Sequence, residues 1–211
     1  MLGLSRTLAA AACVGLVALA GCATQPPRDG TSAGAASGTR AERAVPLLRM
    51  PPGSLGRTLN LQQQITVQYP SPQGEQTRDM LALLEADAAH TRLAAVAGGQ
   101  VLARLDWDGH DLRVSKAPWA PPELLPERIL SDLQLSLWPV AAIQAALPAG
   151  WRVEVAPGVR QLRAGDEVVV EIRYPDARTT LFEQRRDGYR LTIRTLQDLG
   201  GRQDSGQERA Q

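Results

Sequence analysis

The 211-residue sequence predicts an α+β fold: a curled antiparallel sheet forming a half-barrel of about ten strands, with a helical insert covering its concave face. Three observations predict it. Apolar and polar residues alternate with a period of two in well-separated stretches, glycine-bearing turn dipeptides lie between those stretches, and one block in the middle changes to a helical period.

In order along the chain, Leu61, Ile65, Val67 and Tyr69 share one parity against Gln62, Gln64 and Gln68, which predicts a half-buried strand over 61–69. Strands follow at 79–86, 91–97, 100–107 and 111–115; in the fourth, Val101, Ala103, Leu105 and Trp107 share a face. Gly98-Gly99 and Asp108-Gly109 supply the positive φ of tight hairpins between them. From Pro126, the residues Ile129, Leu130, Leu133 and Leu137 fall on one helical face, with Pro suited to a first turn and Glu127 favourable at the positive helix end. Trp138-Pro139 ends that helix and opens a second, where Val140, Ile143 and Leu147 repeat before Pro148-Ala149-Gly150 closes it. Five more strands are expected at 151–155, 159–163, 167–174, 178–185 and 189–196, punctuated by Pro157-Gly158, Gly165-Asp166, Pro175-Asp176 and Asp187-Gly188. Hairpin-linked strands are antiparallel by construction. A strongly twisted sheet of that size curls, and something apolar must fill its concave side.

Composition narrows the function. Lys and Arg number 23 against 22 Asp and Glu, a net charge of +1, so there is no electrostatic case for nucleic acid as partner. Only two Cys occur, too few for a disulfide scaffold or a thiolate zinc site. Aromatic residues are scarce and four of the eight are Trp, so each Trp is a candidate anchor of the core or of a cavity wall.

The amino terminus carries Arg6 and an uncharged run from Leu8 to Ala20, a secretion signal over 1–21 and too short for a membrane-spanning helix. The run ends Leu19-Ala20-Gly21-Cys22, which resembles the bacterial lipobox. That resemblance implies lipidation of Cys22, cleavage before it and acylation of the new amino group. Three chains make attachment effectively permanent, since one acyl chain alone is marginal. Cys13 falls in the removed segment, so the mature chain is expected to hold no internal disulfide. Ala23, rather than Asp, follows the Cys, which by resemblance to the bacterial sorting rule implies the outer membrane, on its periplasmic face. Residues 22–44 read as the lipidated Cys and a flexible tether, 45–199 as the folded domain and 200–211 as a disordered tail.

Four segments carry a wider likeness: Asp79-Met-Leu-Ala-Leu-Leu-Glu85, Val101-Leu-Ala-Arg-Leu-Asp-Trp-Asp-Gly109, Leu133-Gln-Leu-Ser-Leu-Trp-Pro139 and Gly188-Tyr-Arg-Leu-Thr-Ile193. With the lipobox and tether, they make the chain resemble the LolA/LolB type of periplasmic lipoprotein-localisation protein. More closely, over roughly 60–197, it resembles an uncharacterised family of small proteobacterial lipoproteins often encoded beside aryl-polyene biosynthesis. The likeness implies a half-barrel whose apolar cavity holds an acyl chain, a lipoprotein lipid or an aryl-polyene lipid. Cavity candidates are Trp107, Trp119, Leu133, Leu137, Trp138 and Ile143. A competing expectation is a structural accessory lipoprotein, packed solid, that docks on an envelope protein.

Catalytic signatures are not found. The one Gly-x-Ser-x-Gly match, Gly30-Thr-Ser-Ala-Gly34, falls in the tether with no strand expected before it or helix after it, so it makes no nucleophile elbow; no phosphate-cradling Gly loop or His-Glu-x-x-His occurs, and the reading is non-enzymatic, without cofactor or metal. His90 and His110 are expected as solvent-exposed turn residues, Asp106, Asp108 and Asp111 as turn chemistry, and Arg185, Arg186, Arg190 and their acidic neighbours as a solvated mixed face. Arg160 and Arg163 are candidates to hold an anionic head at a cavity mouth.

Overall fold

A computed structural model describes residues 44–122 and 124–200. The expected signal segment, Cys22, nearly all of the tether and nearly all of the tail lie outside the described residues. A 3₁₀ turn at Pro52–Leu55 precedes β1 (Leu59–Ser71), β2 (Gly74–Ala86), β3 (Thr91–Ala97), β4 (Gln100–Trp107) and β5 (Leu112–Lys116). Helices α1 (Pro126–Leu137) and α2 (Val140–Ala146) follow, then β6 (Trp151–Ala156), β7 (Val159–Ala164), β8 (Glu167–Arg173), β9 (Thr179–Gln184) and β10 (Tyr189–Asp198).

All ten strands form one antiparallel, unclosed sheet in the order β5-β4-β3-β2-β1-β10-β9-β8-β7-β6. Every neighbour is a hairpin except one: β1 pairs with β10, through Ile65 opposite Ile193 and Val67 opposite Leu191. The first and last strands therefore form the centre of the sheet, and β5 and β6 its edges. The helical insert joins one edge to the other, so it must cross a face of the sheet, and it crosses the concave one. The α+β half-barrel is what the alternation predicted.

The first hairpin is longer than expected, with 13 residues in each of β1 and β2. Pro70 discouraged the extension because it cannot donate to a ladder. It is accommodated because β10 pairs no further than Gln68 opposite Arg190, so Pro70 faces a strand on one side only. Gly74 then closes the turn at φ 104°.

Two bulges alter the expected faces. A register shift between Ala95 and Val96 sets Ala95 opposite Ala103 but Val96 opposite Val101. Leu102 becomes the extra residue and is buried with Ala103, while Val101 moves to the outer face. In β8 the shift between Leu162 and Arg163 does the same, burying Val169 beside Val170 and sending Val168 outward. A strict period of two cannot register an inserted residue.

The core lies between the inner sheet face and the insert. Leu84, Leu130, Trp138, Ile143, Val170, Ile172 and Phe182 are closed off from solvent. A further layer has no sequence precursor among the expected elements. Residues 45–55 form a strap across α1, burying Val45, Leu48, Met50 and Leu55. The strap has no periodic pattern because side chains of α1 take the place of a neighbouring strand. Ser131 Oγ accepts the Leu48 N–H at 3.0 Å; Gln134 accepts the Met50 N–H and donates to the Met50 carbonyl, both at 2.9 Å. Trp107 Nε1 donates to the same carbonyl at 2.8 Å, and Trp138 Nε1 to Ser54 Oγ at 3.0 Å. Burying Ser131 and Gln134 on a helix is costly unless they are paired, and the strap's backbone pairs them.

Candidate functional site

The six cavity candidates separate into three groups. Trp138 and Ile143 are fully buried, and Leu133 and Leu137 are half-buried against the same cluster. Trp107 belongs to a second cluster, with Leu105 and Leu130. Trp119 is 51% exposed, on the loop between β5 and α1. The structure thus brings Leu133, Leu137, Trp138 and Ile143 together, and places Trp107 and Trp119 elsewhere. Side chains of the protein itself surround Trp138, with the strap from 45 to 55 filling much of the concave side.

An apolar seam is left nearer the β5 edge. It runs between the inner face of β3–β5, at Ala95, Ala103, Leu105 and Val114, and the segment entering α1, at Leu124 and Ile129. Its volume is about 10 Å³, room for about one water molecule in surroundings with almost nothing to bond it. Residues 117–122, with Leu124 and Leu125, lie along this end of the sheet. Pro118, Pro121 and Pro122 stiffen the loop, Ala117 N–H donates to the Leu102 carbonyl at 2.9 Å, and Lys116 Nζ holds the Leu124 carbonyl at 2.9 Å. Sequence reasoning placed Ile129 on the helix face but missed Leu124 and the loop. The run Ala117-Pro-Trp-Ala-Pro-Pro122 was the available signal, being apolar yet unable to join a helix or ladder.

Polar chemistry near the core is structural. Tyr189 on β10 donates its hydroxyl to Asp132 on α1, and its ring stacks on Phe182 with centroids 6.1 Å apart. Burial raises Asp132 to about 7, an effect the Tyr189 hydrogen bond and the charge of Arg128 only partly offset. Burial likewise pushes the Tyr189 and Tyr174 hydroxyls above their ordinary range. Tyr174 donates to the Ser136 carbonyl at 2.7 Å, so two tyrosines tie α1 to the sheet. Arg160 Nη1 donates to the Leu135 and Trp138 carbonyls, at 2.6 and 3.0 Å, closing the carboxyl end of α1 rather than standing at a cavity mouth. Arg163 pairs with Gln161 and lies 3.6 Å from Glu154.

The remaining candidates for chemistry are committed to turns and surface pairs. His110 is an exposed turn residue, but His90 is only partly exposed and meets Asp106 at 2.8 Å through Nδ1. Asp108 accepts the N–H groups of His110 and Asp111, and these bonds hold its carboxyl below the usual range. Arg185, Arg186 and Arg190 pair with Glu171, Glu167 and Glu183. Among the described residues no group of three or more His, Cys, Asp or Glu is placed to hold a metal, and no helix is long and apolar enough to cross a membrane.

A family model described as "Protein of unknown function (DUF3261)" matches residues 60–197, well over half of the chain. The chain belongs to the DUF3261 family. No curated protein matches it. The matched span runs through all ten strands and both helices of the DUF3261 chain, and leaves the strap outside. Within the span, Leu133-Gln-Leu-Ser-Leu-Trp-Pro139 acquires a physical meaning. Gln134 holds the strap, Ser136 presents its carbonyl to Tyr174, and Trp138 fills the core while reaching Ser54.

Proposed function

We propose that this DUF3261 protein is an outer-membrane lipoprotein, anchored through Cys22 on the periplasmic face, that holds or hands on a hydrophobic ligand. The ligand is an acyl chain, the lipid of another lipoprotein or an aryl-polyene lipid, and the kinship is to carriers of the LolA/LolB type. The reading is non-enzymatic and assigns no catalytic residue, cofactor or metal.

The supporting observation is the uneven cover of the inner sheet face. Toward β6 it is packed by α1, α2 and the strap, whereas toward β5 an apolar seam of about 10 Å³ lies under Leu124, Pro126 and Ile129, where the loop enters α1. Displacing that cover exposes Ala95, Ala103 and Leu105 beside the already exposed Val114, a surface that shields a hydrocarbon chain at about 0.8 kcal/mol per buried methylene. Trp119 and Leu125, exposed at 51% and 56%, flank the way in.

The full chain carrying Cys22→Ser provides the test. Lipid is expected in an organic extract analysed by mass spectrometry, and a fluorescent fatty acid is expected to bind. Ala103→Leu, which fills the seam, lowers that binding at least fivefold. An empty extract together with no binding overturns the carrier reading. Recovery of the Cys22→Ser chain still acylated in the membrane fraction overturns the anchor.

A second reading, a structural accessory lipoprotein docking on an envelope protein, is favoured by the closed packing around Trp138, Phe182 and Leu130. A dry interior together with a stoichiometric protein partner after cross-linking in the envelope selects it.

A further inference from the structure

A groove of about 490 Å³ crosses β2, β3, β4 and β5, lined mostly by outward side chains and meeting the seam at Leu93, Arg104, Leu105 and Val114. Register sets the outward side chains of these strands in three parallel rows, of which the second and third line the groove and the first lies beside it. The first is apolar: Leu81 opposite Val96, and Val96 opposite Val101, which the β4 bulge has turned outward. The second is mixed: Leu83, Ala94, Arg104 and Ser115. The third is ionic: Glu85, Arg92, Asp106 and Arg113. Polarity therefore rises across the face over about 14 Å, four residues at about 3.4 Å each.

In the ionic row Asp106, Arg92 and Arg113 have ion-pair partners, while Glu85 has none among the described residues. Asp106 receives His90 at 2.8 Å and lies 3.7 Å from Arg92 and 3.9 Å from Arg113, while Arg113 also reaches Asp108 at 3.0 Å. Arg104 is different. It stands in the mixed row beside the small Ala94, and among the described residues it has no hydrogen-bond or ion-pair partner. Three guanidiniums thus face two carboxylates, Glu85 and Asp106, across the groove, and the uncommitted one borders its apolar end. Leu83 is 49% exposed and Leu81 39%, adjacent on one face, where isolated exposed leucines would call for no explanation.

We propose that this outer face is a binding site for an anionic amphiphile, a hydrocarbon chain ending in a carboxylate or phosphate. The acid group sits on Arg104, whose planar fork suits both acids. The chain lies over Ala94 and Leu83 toward Leu81, Val96 and Val101. Arg92 and Arg113 add positive potential at the head, and Glu85 and Asp106 limit the charge the site accepts. This goes beyond the carrier reading, because the chain's bed, Leu83 and Ala94, belongs to the groove alone, whereas Ala95 and Ala103 belong to the seam alone.

Isothermal titration calorimetry of the full chain carrying Cys22→Ser, with laurate and dodecyl phosphate below their aggregation concentrations, tests the site. Both acids are expected to bind, and Arg104→Gln and Leu83→Ser, each on an exposed surface, to weaken them at least tenfold. Dodecyltrimethylammonium and inorganic phosphate are expected to bind at least tenfold more weakly than the acids. A preference for laurate or dodecyl phosphate identifies which acid group the site favours. The proposal is overturned by no binding of either acid, by equal binding of the ammonium amphiphile, or by binding that survives both substitutions. Binding that survives both and is lost in Ala103→Leu belongs to the seam, and likewise overturns the outer site without touching the carrier reading.

Discussion

The two five-stranded halves of the sheet are built alike and finished differently. Each is a run of hairpins, and each carries a bulge that turns an extra aliphatic residue inward, Leu102 in β4 and Val169 in β8. In the β6–β10 half the inner face is sealed by Trp138, Ile143 and Phe182. Its edge is sealed too: Gln144 of α2 accepts the Val153 N–H at 2.9 Å, occupying backbone that would otherwise template another strand. In the β1–β5 half the edge strand β5 is mostly exposed, the inner face ends in an apolar seam, and the outer face bears a groove. The largest buried aromatic side chains of the core cluster, Trp138 and Phe182, pack against the β6–β10 half, and the seam and the groove lie in the other.

The comparison breaks most visibly at Trp138. Trp138→Ala is expected to cost about 3–5 kcal/mol in denaturant unfolding, because it empties the centre of the sealed half and releases Ser54. An effect below about 1 kcal/mol would mean that half is not the stability centre. Gln134→Ala leaves the buried Met50 N–H without its partner, a loss of about 2–3 kcal/mol. It should also open residues 45–56 to limited proteolysis before the sheet unfolds.

Asp132 gives the sealed half a pH dependence. Its pKa is raised from 3.8 to about 7 in the folded protein, so the folded state holds a proton that the unfolded chain gives up. The stability associated with it is full below pH 4, falls as pH rises from about 4 to 7, and is gone above that. Asp132→Asn removes this slope and is expected to be the more stable form at pH 8, by on the order of 2 kcal/mol. A wild-type minus variant difference that does not change between pH 4 and 8 would rule out the assigned protonation.

Smaller effects belong to the open half. Lys116→Met frees the Leu124 carbonyl and should cost less than about 1 kcal/mol while raising fatty-acid uptake by the Cys22→Ser chain. Trp119→Ser is expected to change stability by no more than about 0.5 kcal/mol, as befits an exposed loop residue. A large loss there would mean that the loop is part of the core.

Much of this architecture was legible because alternation and turn residues are local signals. The ten strands, both helices and the place of the helices between two sets of five strands follow from Gly98-Gly99, Asp187-Gly188, Pro126 and the residues between them. What was hidden depends on distant partners. The pairing of Val67 with Leu191 leaves no mark on either strand. The burial of Leu48 and Met50 depends on Ser131 and Gln134, more than eighty positions away. Side-chain identity also misled at the site: Trp138 and Ile143 suit a cavity wall and a solid core equally well, and only packing distinguishes the two. Arg104 drew no notice because a lone arginine in a strand reads as ordinary surface until the rows beside it are aligned.

The meeting of β1 with β10 also sets an order of events. A chain made from its amino end has its first strand ready long before the last one arrives, and until then Ile65 and Val67 line a raw border with nothing alongside. Completion waits for nearly the whole polypeptide to be made, a demanding route for a sheet held by contacts so distant in sequence. A chain cut short before Tyr189 would carry an unguarded seam through its middle, and clumping with its fellows would be its first visible defect.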